Sequence, residues 1–421
     1  MKFLYIVFIL CLPSLTFCQD KIAGKVVSEK GEALQGASVF ISNTTIGVNT
    51  NGKGEFVLAK VPGGNAEIVV SYVGYEVTSA VIPAADRNKR YIIKLQLKSS
   101  DLATVIVGNY DKRGWKKWGN TFTTAFIGNS AYAKQCEITN KDVIRFNYNK
   151  KTNELRAYAG EPILIENKSL GYNISATLTD FMYNLSTKDV DYHVYSLFSE
   201  MQGNDDNELE WKKNRKEAYS LSLMHFMRAL YARNFKNEGF QVRIIERSLN
   251  PEKQRVEAIY RNSFSKIKDS LWYDMQMKES SVNKLIEKNF LKDSIQYYQS
   301  VLKQNDRTEN LHLELCNFKD IASETDSGKV LLRFNDYLQV TYIKAKEPQE
   351  YADYKNKLYP DINTPNSVNQ RVYPSTDLSL THGIPLEINA NGYFDNIDLY
   401  MQGFWGWWEK FATRLPYEYE P

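Results

Sequence analysis

With 421 residues, the chain exceeds one ordinary domain and has room for two or three of roughly 100 to 200 residues each. At 43% hydrophobic and 24% charged residues, with 12 prolines, it can bury a sizeable core, which excludes a disordered or low-complexity chain. A net charge of +3, from 53 Lys and Arg against 50 Asp and Glu, gives no reason to expect nucleic acid or a polybasic membrane surface. The 13% aromatic content, with 28 Tyr and 20 Phe, points to β-structure and aromatic-rich cores or contact surfaces.

The chain opens with Lys2, an apolar run from Phe3 to Leu12, then Pro13 and Thr16-Phe17-Cys18. Charged, apolar and small-residue regions in that order are those of a secretory signal peptide. Thr16 and Cys18 are the small residues that a signal peptidase reads, so cleavage after Cys18 is expected to leave Gln19 first. Lipidation of Cys18 is the alternative, and bulky Phe17 argues against it. The run is too short to span a bilayer, which takes about 20 apolar residues, and no later stretch is longer. The mature chain is therefore expected to lack a transmembrane helix and to be exported: periplasmic, outer-membrane associated or secreted. Cys11 and Cys18 leave with the leader. Cys136 and Cys316 remain, as one disulfide or two buried thiols.

Residues 20–98 alternate short β-type runs (KIAGKVVS, ASVFIS, EFVLAKV, EIVVSYVGYEV, YIIKLQL) with turn residues every 8 to 12 positions, the spacing of an antiparallel sandwich. Gly24, Leu34-Gln35-Gly36-Ala37-Ser38-Val39, Thr44-Thr45-Ile46-Gly47, Gly54-Glu55-Phe56, Val61-Pro62-Gly63 and Tyr72-Val73-Gly74-Tyr75 fall in order. Together they resemble the carboxypeptidase-regulatory-like domain. That resemblance implies a transthyretin-like, seven-stranded sandwich common at the N-termini of Gram-negative envelope proteins, with no peptidase chemistry of its own. Residues 99–114 form a linker or last strand. Within them Leu102, Val105, Ile106 and Val107 resemble the segment that pairs with TonB in TonB-dependent receptors. The chain after Gly108 is too short and too helical for such a receptor's barrel.

Residues 115–421 read as a larger β-rich α+β domain. Trp115 to Leu185 is mostly β-type, with Ile163, Ile165, Ile174, Thr177 and Leu178 in broadly alternating order. Tyr219, Leu223, Phe226, Met227 and Leu230 mark one face of an amphipathic helix over 211–236, stopped by Gly239. Leu291, Ile295, Tyr298 and Leu302 mark further helix in a charged insertion over 252–305. Strand alternation returns at 329–343 and 371–400. Cys136, Pro162 to Asn167, Leu170-Gly171-Tyr172, His225-Phe226, Gly239-Phe240 and the closing Leu415 to Pro421 resemble a wider, Bacteroidota-type group of envelope proteins. This resemblance brings no reaction with it.

Chemistry has few places to reside. None of the four histidines, His193, His225, His312 and His382, begins an HxxE or HExxH pattern, and no GxSxG, Walker, GxGxxG or CxxC motif occurs. His312 and Glu314 would share a strand face, which reads as solvated. His225 reads as a buried, hydrogen-bonded residue with Arg228 one turn on. Asp205, Asp206, Glu208 and Glu210 read as a solvated loop. Trp115 and Trp118 lie among lysines but in a near-neutral, exported chain. Phe404-Trp405-Gly406-Trp407-Trp408 is the most conspicuous cluster: Trp405 and Trp408 share a helical face with Phe411 and Ala412, so a C-terminal helix docked on the core is expected, with Trp405, Trp407 and Trp408 contacting a partner or glycan as the alternative. No cofactor or metal is implied.

Three functions follow. The first is a non-catalytic envelope protein that binds another envelope protein or a glycan. The second is a hydrolase acting on glycans or peptides through an unlocated carboxylate pair. The third is an accessory component of a TonB-linked uptake system.

Overall fold

The protein is described by a computed structural model over residues 21–98, 113–270, 292–326, 329–358, 372–394 and 399–421. The expected leader and the Leu102, Val105, Ile106 and Val107 segment lie outside these residues.

Strands with one apolar face can hide it only against a second sheet. β1 (Ile22–Ser28), β2 (Ser38–Ile41), β3 (Gly47–Asn49), β4 (Glu55–Leu58), β5 (Ala66–Ser71), β6 (Thr78–Ile82) and β7 (Arg90–Leu95) do so in two sheets, ordered β4-β1-β7 and β3-β2-β5-β6. Val26, Val39, Phe56, Leu58 and Ile68 meet between them, in the expected seven-stranded sandwich. Gly54 sits at φ +74, and a Cβ there would lie 2.5 Å from the Val26 carbonyl oxygen, so only glycine fits this turn.

The body begins with α1 (Gly114–Phe126), a helix where the sequence reading placed β-type chain. Trp118, Phe122, Ala125 and Phe126 recur at helical spacing, and their common face is buried. It packs on the antiparallel sheet of β8 (Cys136–Ile138), β9 (Ile144–Asn149), β10 (Glu154–Ala159), β11 (Ile163–Asn167), β12 (Tyr172–Asn184) and β13 (Val190–Glu200). The long β12 pairs along one side with β13 and along the other with β11 and then β10.

The single helix expected over 211–236 is three: α2 (Asp205–Ser220), α3 (Leu223–Tyr231) and α4 (Phe235–Glu238). Asn204 caps α2 through the Asn207 amide, and Asp205, Asp206 and Glu208 occupy its first turn. Those carboxylates belong to a helix N-terminus, where the dipole favours negative charge, and not to a loop. Ser222 ends the run by accepting the His225 amide proton, capping α3. Gly239, at φ +99, closes α4.

β14 (Phe240–Leu249), α5 (Pro251–Ser270), α6 (Lys292–Leu302) and β15 (Arg307–Leu311) place the expected helical insertion between two antiparallel neighbours. After α7 (Phe318–Ile321) come β16 (Ala322–Glu324), β17 (Val330–Leu332), β18 (Tyr337–Tyr342), α8 (Gln349–Leu358), β19 (Ser375–Leu380), β20 (Leu386–Ile388), β21 (Leu399–Gly403) and α9 (Phe404–Trp408). They complete a five-stranded sheet, β15-β14-β18-β19-β21, and a three-stranded one, β16-β17-β20. Phe226 and Leu230 of α3 are fully buried in the core these sheets share with Phe240, Val340 and Leu378.

Trp405, Trp407 and Trp408 lie in that same core at 4, 6 and 2% exposure. They close it, and no indole face is left for a partner or glycan. Trp405 Nε1 donates to the Leu221 carbonyl at 2.9 Å. The Nε1 atoms of Trp407 and Trp408 are buried with no hydrogen-bond partner among the described residues, a cost of roughly 1–3 kcal/mol each that aromatic packing must offset. Beyond α9, Phe411 and Ala412 enter the α1 core, donating to the carbonyls of Phe126 and Ile127 at 3.2 and 3.0 Å.

Phe226→Ala is expected to cost about 3–5 kcal/mol, the usual penalty for a core aromatic, measured by chemical denaturation. Deleting residues 404–421 should abolish the cooperative thermal transition, because the segment contributes side chains to two cores. Melting unchanged by that deletion would overturn this account.

Candidate functional site

The backbone hydrogen bonds between sandwich and body centre on the turn after β2. Asn43 takes the left-handed conformation, φ +57, which asparagine tolerates. Thr44 stabilises the turn locally: its Oγ1 donates to the Ile41 carbonyl at 2.8 Å and accepts the Ile46 amide at 3.0 Å. The turn is thereby presented to the edge strand β13. Asn43 N donates to Ser196 O at 2.7 Å and Phe198 N to Thr44 O at 2.8 Å, a short parallel bridge that extends the sheet of the body. From the other side Tyr417 N donates to Asn43 O at 2.8 Å, and the Glu418 carboxylate accepts the Thr45 amide.

Flanking contacts fix the angle of approach. Phe40 and Val69 bury Tyr195, whose hydroxyl lies 2.8 Å from Ser79 Oγ. Asn65 Nδ2 donates to Glu387 at 2.9 Å. At Gly47 a Cβ would lie 2.9 Å from Leu197 Cδ2, so the missing side chain permits the close approach.

Between the turn and the outward face of the sheet lies a cleft of about 460 Å³. Strand pairing sets its floor in two cross-strand rows: Glu166, Asn173 and Ser199, then Leu164, Ser175 and Leu197. Thr45 and Gly47 of the sandwich form one wall and Thr139 of the body adds to the other lining. Glu166 is the only carboxylate among the lining residues, 3.5 Å from Lys168 Nζ. Among the described residues no histidine, cysteine or lysine lines the cleft. It can bind by hydrogen bonds from hydroxyls and an amide over two leucines. It does not pair a nucleophile with a base.

The residues singled out in the sequence lie elsewhere. His225 is buried against Tyr219, Phe240 and Tyr342, with Nδ1 3.0 Å from Ser220 O and Nε2 3.4 Å from Glu238. Arg228 is not its partner: it donates to the Asn391, Tyr417 and Tyr419 carbonyls. His312 lies 3.5 Å from Glu246, and Glu314 is exposed. Cys136 and Cys316 are both free and belong to different cores. Burial pushes the Cys136 thiol up to about 12, the mark of an inert thiol. Among the described residues no group of three His, Cys, Asp or Glu is placed to hold a metal ion. Of the cleft residues the sequence singled out Thr45 and Gly47 as part of the sandwich pattern, and Ile165, Ile174 and the run through Leu164 and Glu166 as strand or resemblance residues, none of them as a site. Ser175 and Ser199 carry no local signal at all.

Residues 22–107 match the family model of the CarboxypepD_reg-like domain, in agreement with the seven-stranded sandwich. No curated protein matches the chain.

Burial at the joint pushes the Tyr417 phenol up to about 12, from an ordinary 10.0. A raised folded-state value means its contribution is fully present below about pH 10 and is lost as pH rises towards 12. Thermal melting should therefore fall more steeply over that window in the wild type than in Tyr417→Phe. Parallel curves for the two proteins would contradict a buried phenol at this position.

Proposed function

We propose that the protein is an exported, non-catalytic binding or assembly component of the cell envelope, and that its joint cleft receives the ligand. The leader pattern in residues 1–18 and the regulatory-like sandwich support the compartment. The observation that carries the binding reading is the cleft itself: both units build it, and it offers neutral hydrogen-bonding groups over an apolar floor. Glycoside hydrolysis requires two carboxyl groups across the scissile bond, and the cleft lining supplies Glu166 alone, which favours binding over the hydrolase alternative. A partner protein's polar segment or a neutral glycan meets the chemistry equally well, since each presents donors and acceptors together.

Ser175 lies at the centre of the floor, between Leu164 and Leu197. Ser175→Trp should fill the cleft and leave the melting temperature within a few degrees of the wild type. With both mature proteins as baits in native envelope extract, the wild type should retain a protein or glycan that the variant loses. Identical retained material would rule out the cleft as the binding site.

A further inference from the structure

The five-stranded sheet of the body has two unlike faces. Phe240, Val242, Leu338, Val340 and Leu378 turn inward to the tryptophan core. Because successive side chains in a strand point to opposite faces, the residues between them project outward, and on β18, β19 and β21 these are polar or tyrosine, whereas on β14 the outward Ile245 is apolar and buried. Strand pairing places Arg243 beside Gln339, Gln339 beside Asp377, and Asp377 beside Gln402, a single row across β14, β18, β19 and β21. Arg243, Gln339 and Asp377 are half-buried, and Gln402 is exposed. Next to the row stand two tyrosines. Tyr337 carries the Arg247 guanidinium 3.5 Å above its ring, and Tyr400, 44% exposed, has its hydroxyl 3.5 Å from Asp189 Oδ1.

The groups point to one ligand class. Carboxylate, amide and guanidinium each present two coplanar donor or acceptor atoms, which suits vicinal hydroxyl pairs that donate and accept at once. An exposed aromatic ring suits the C–H face of a sugar. Arg247 is already engaged, its Nε 2.7 Å from Glu309; with Arg243, Arg247 and Arg307 against Asp377, Glu309 and the neighbouring Asp189, charges of both signs balance on the face, so it suits neither a polyanion nor a cation. The row is four strands wide at about 4.8 Å per strand, close to the advance of one sugar ring along an extended polysaccharide. Partial burial pushes the Asp377 carboxyl up, and the Gln339 amide bonds it within the row and acts against that shift.

We propose that this outward face of the five-stranded sheet binds a neutral polysaccharide, with Arg243, Gln339, Asp377 and Gln402 bonding its hydroxyls and Tyr400 stacking on a ring. The site is separate from the joint cleft and does not depend on it.

Affinity electrophoresis of the full mature chain through gels containing dextran, laminarin, xylan or starch tests this, with chondroitin sulfate as the anionic comparison. At least one neutral polysaccharide should retard the wild type. Tyr400→Ala and Gln402→Ala should each weaken that retardation about tenfold or more, with melting temperatures unchanged because both residues are exposed. Ser175→Trp, which fills the cleft, should leave it intact. No retardation by any neutral polysaccharide overturns the proposal. So does retardation by chondroitin sulfate alone, or retardation that survives both substitutions. Retardation lost in Ser175→Trp but kept in Tyr400→Ala would assign the glycan to the cleft and equally overturn this site.

Discussion

Residues 404–418 hold the molecule together. Trp405, Trp407 and Trp408 fill the core of the five-stranded sheet, Phe411, Ala412 and Leu415 fill the core under α1, and Tyr417 and Glu418 bond the sandwich turn. Hydrophobic burial is non-directional, so neither core by itself fixes how the other core or the sandwich lies against it. A single covalent segment that must satisfy all three fixes where they lie. Arg228 reinforces this by donating to the Tyr417 and Tyr419 carbonyls from α3.

Polar groups are carried into the interior by the same segment. Glu409 accepts the Leu223 amide at 2.7 Å, at the N-terminus of α3, where the helix dipole favours a carboxylate; burial nonetheless raises its proton affinity. Lys410, 9% exposed, is shifted the opposite way by desolvation, beside the Tyr192 ring. Together with the unpartnered indole N–H groups, they concentrate costly buried polar groups in one short stretch. That cost is tolerable because aromatic burial here is dense: the Phe404, Trp407, Trp408 and Tyr351 rings lie within 5.1 to 5.9 Å of one another in successive pairs.

The joint converts a common sandwich into part of a site. A domain tethered only by a linker would move independently. Here the turn at Asn43 and Thr44 continues the hydrogen bonding of β13, and Phe40 and Val69 bury Tyr195. The turn also covers an edge strand that would otherwise offer unpaired backbone groups. The cleft is a by-product of that docking, since its floor belongs to the body and its wall to the sandwich.

The sequence by itself determined the sandwich and the burial of the α3 face. Both rest on local rules: glycines such as Gly54 mark turns that only they can make, and Phe226 and Leu230 repeat at helical spacing. The same rules point to α1 through Trp118, Phe122 and Phe126, yet the aromatic and β-branched residues around them lend the stretch a strand-like composition, and periodicity prevailed over composition only once a sheet lay beneath it. The split at Ser222 was legible in principle as an N-cap, but the unbroken apolar spacing from Tyr219 to Leu230 masks it. Only the tertiary structure decided that Trp405, Trp407 and Trp408 face inward, since an amphipathic helix reads the same whether its apolar side meets a core or a partner. The cleft and the polar face were equally illegible, because Thr45 comes to line one cleft with Ser199, and Arg243 one cross-strand row with Gln402, through domain docking and strand pairing between residues far apart in the chain, on which no local pattern bears.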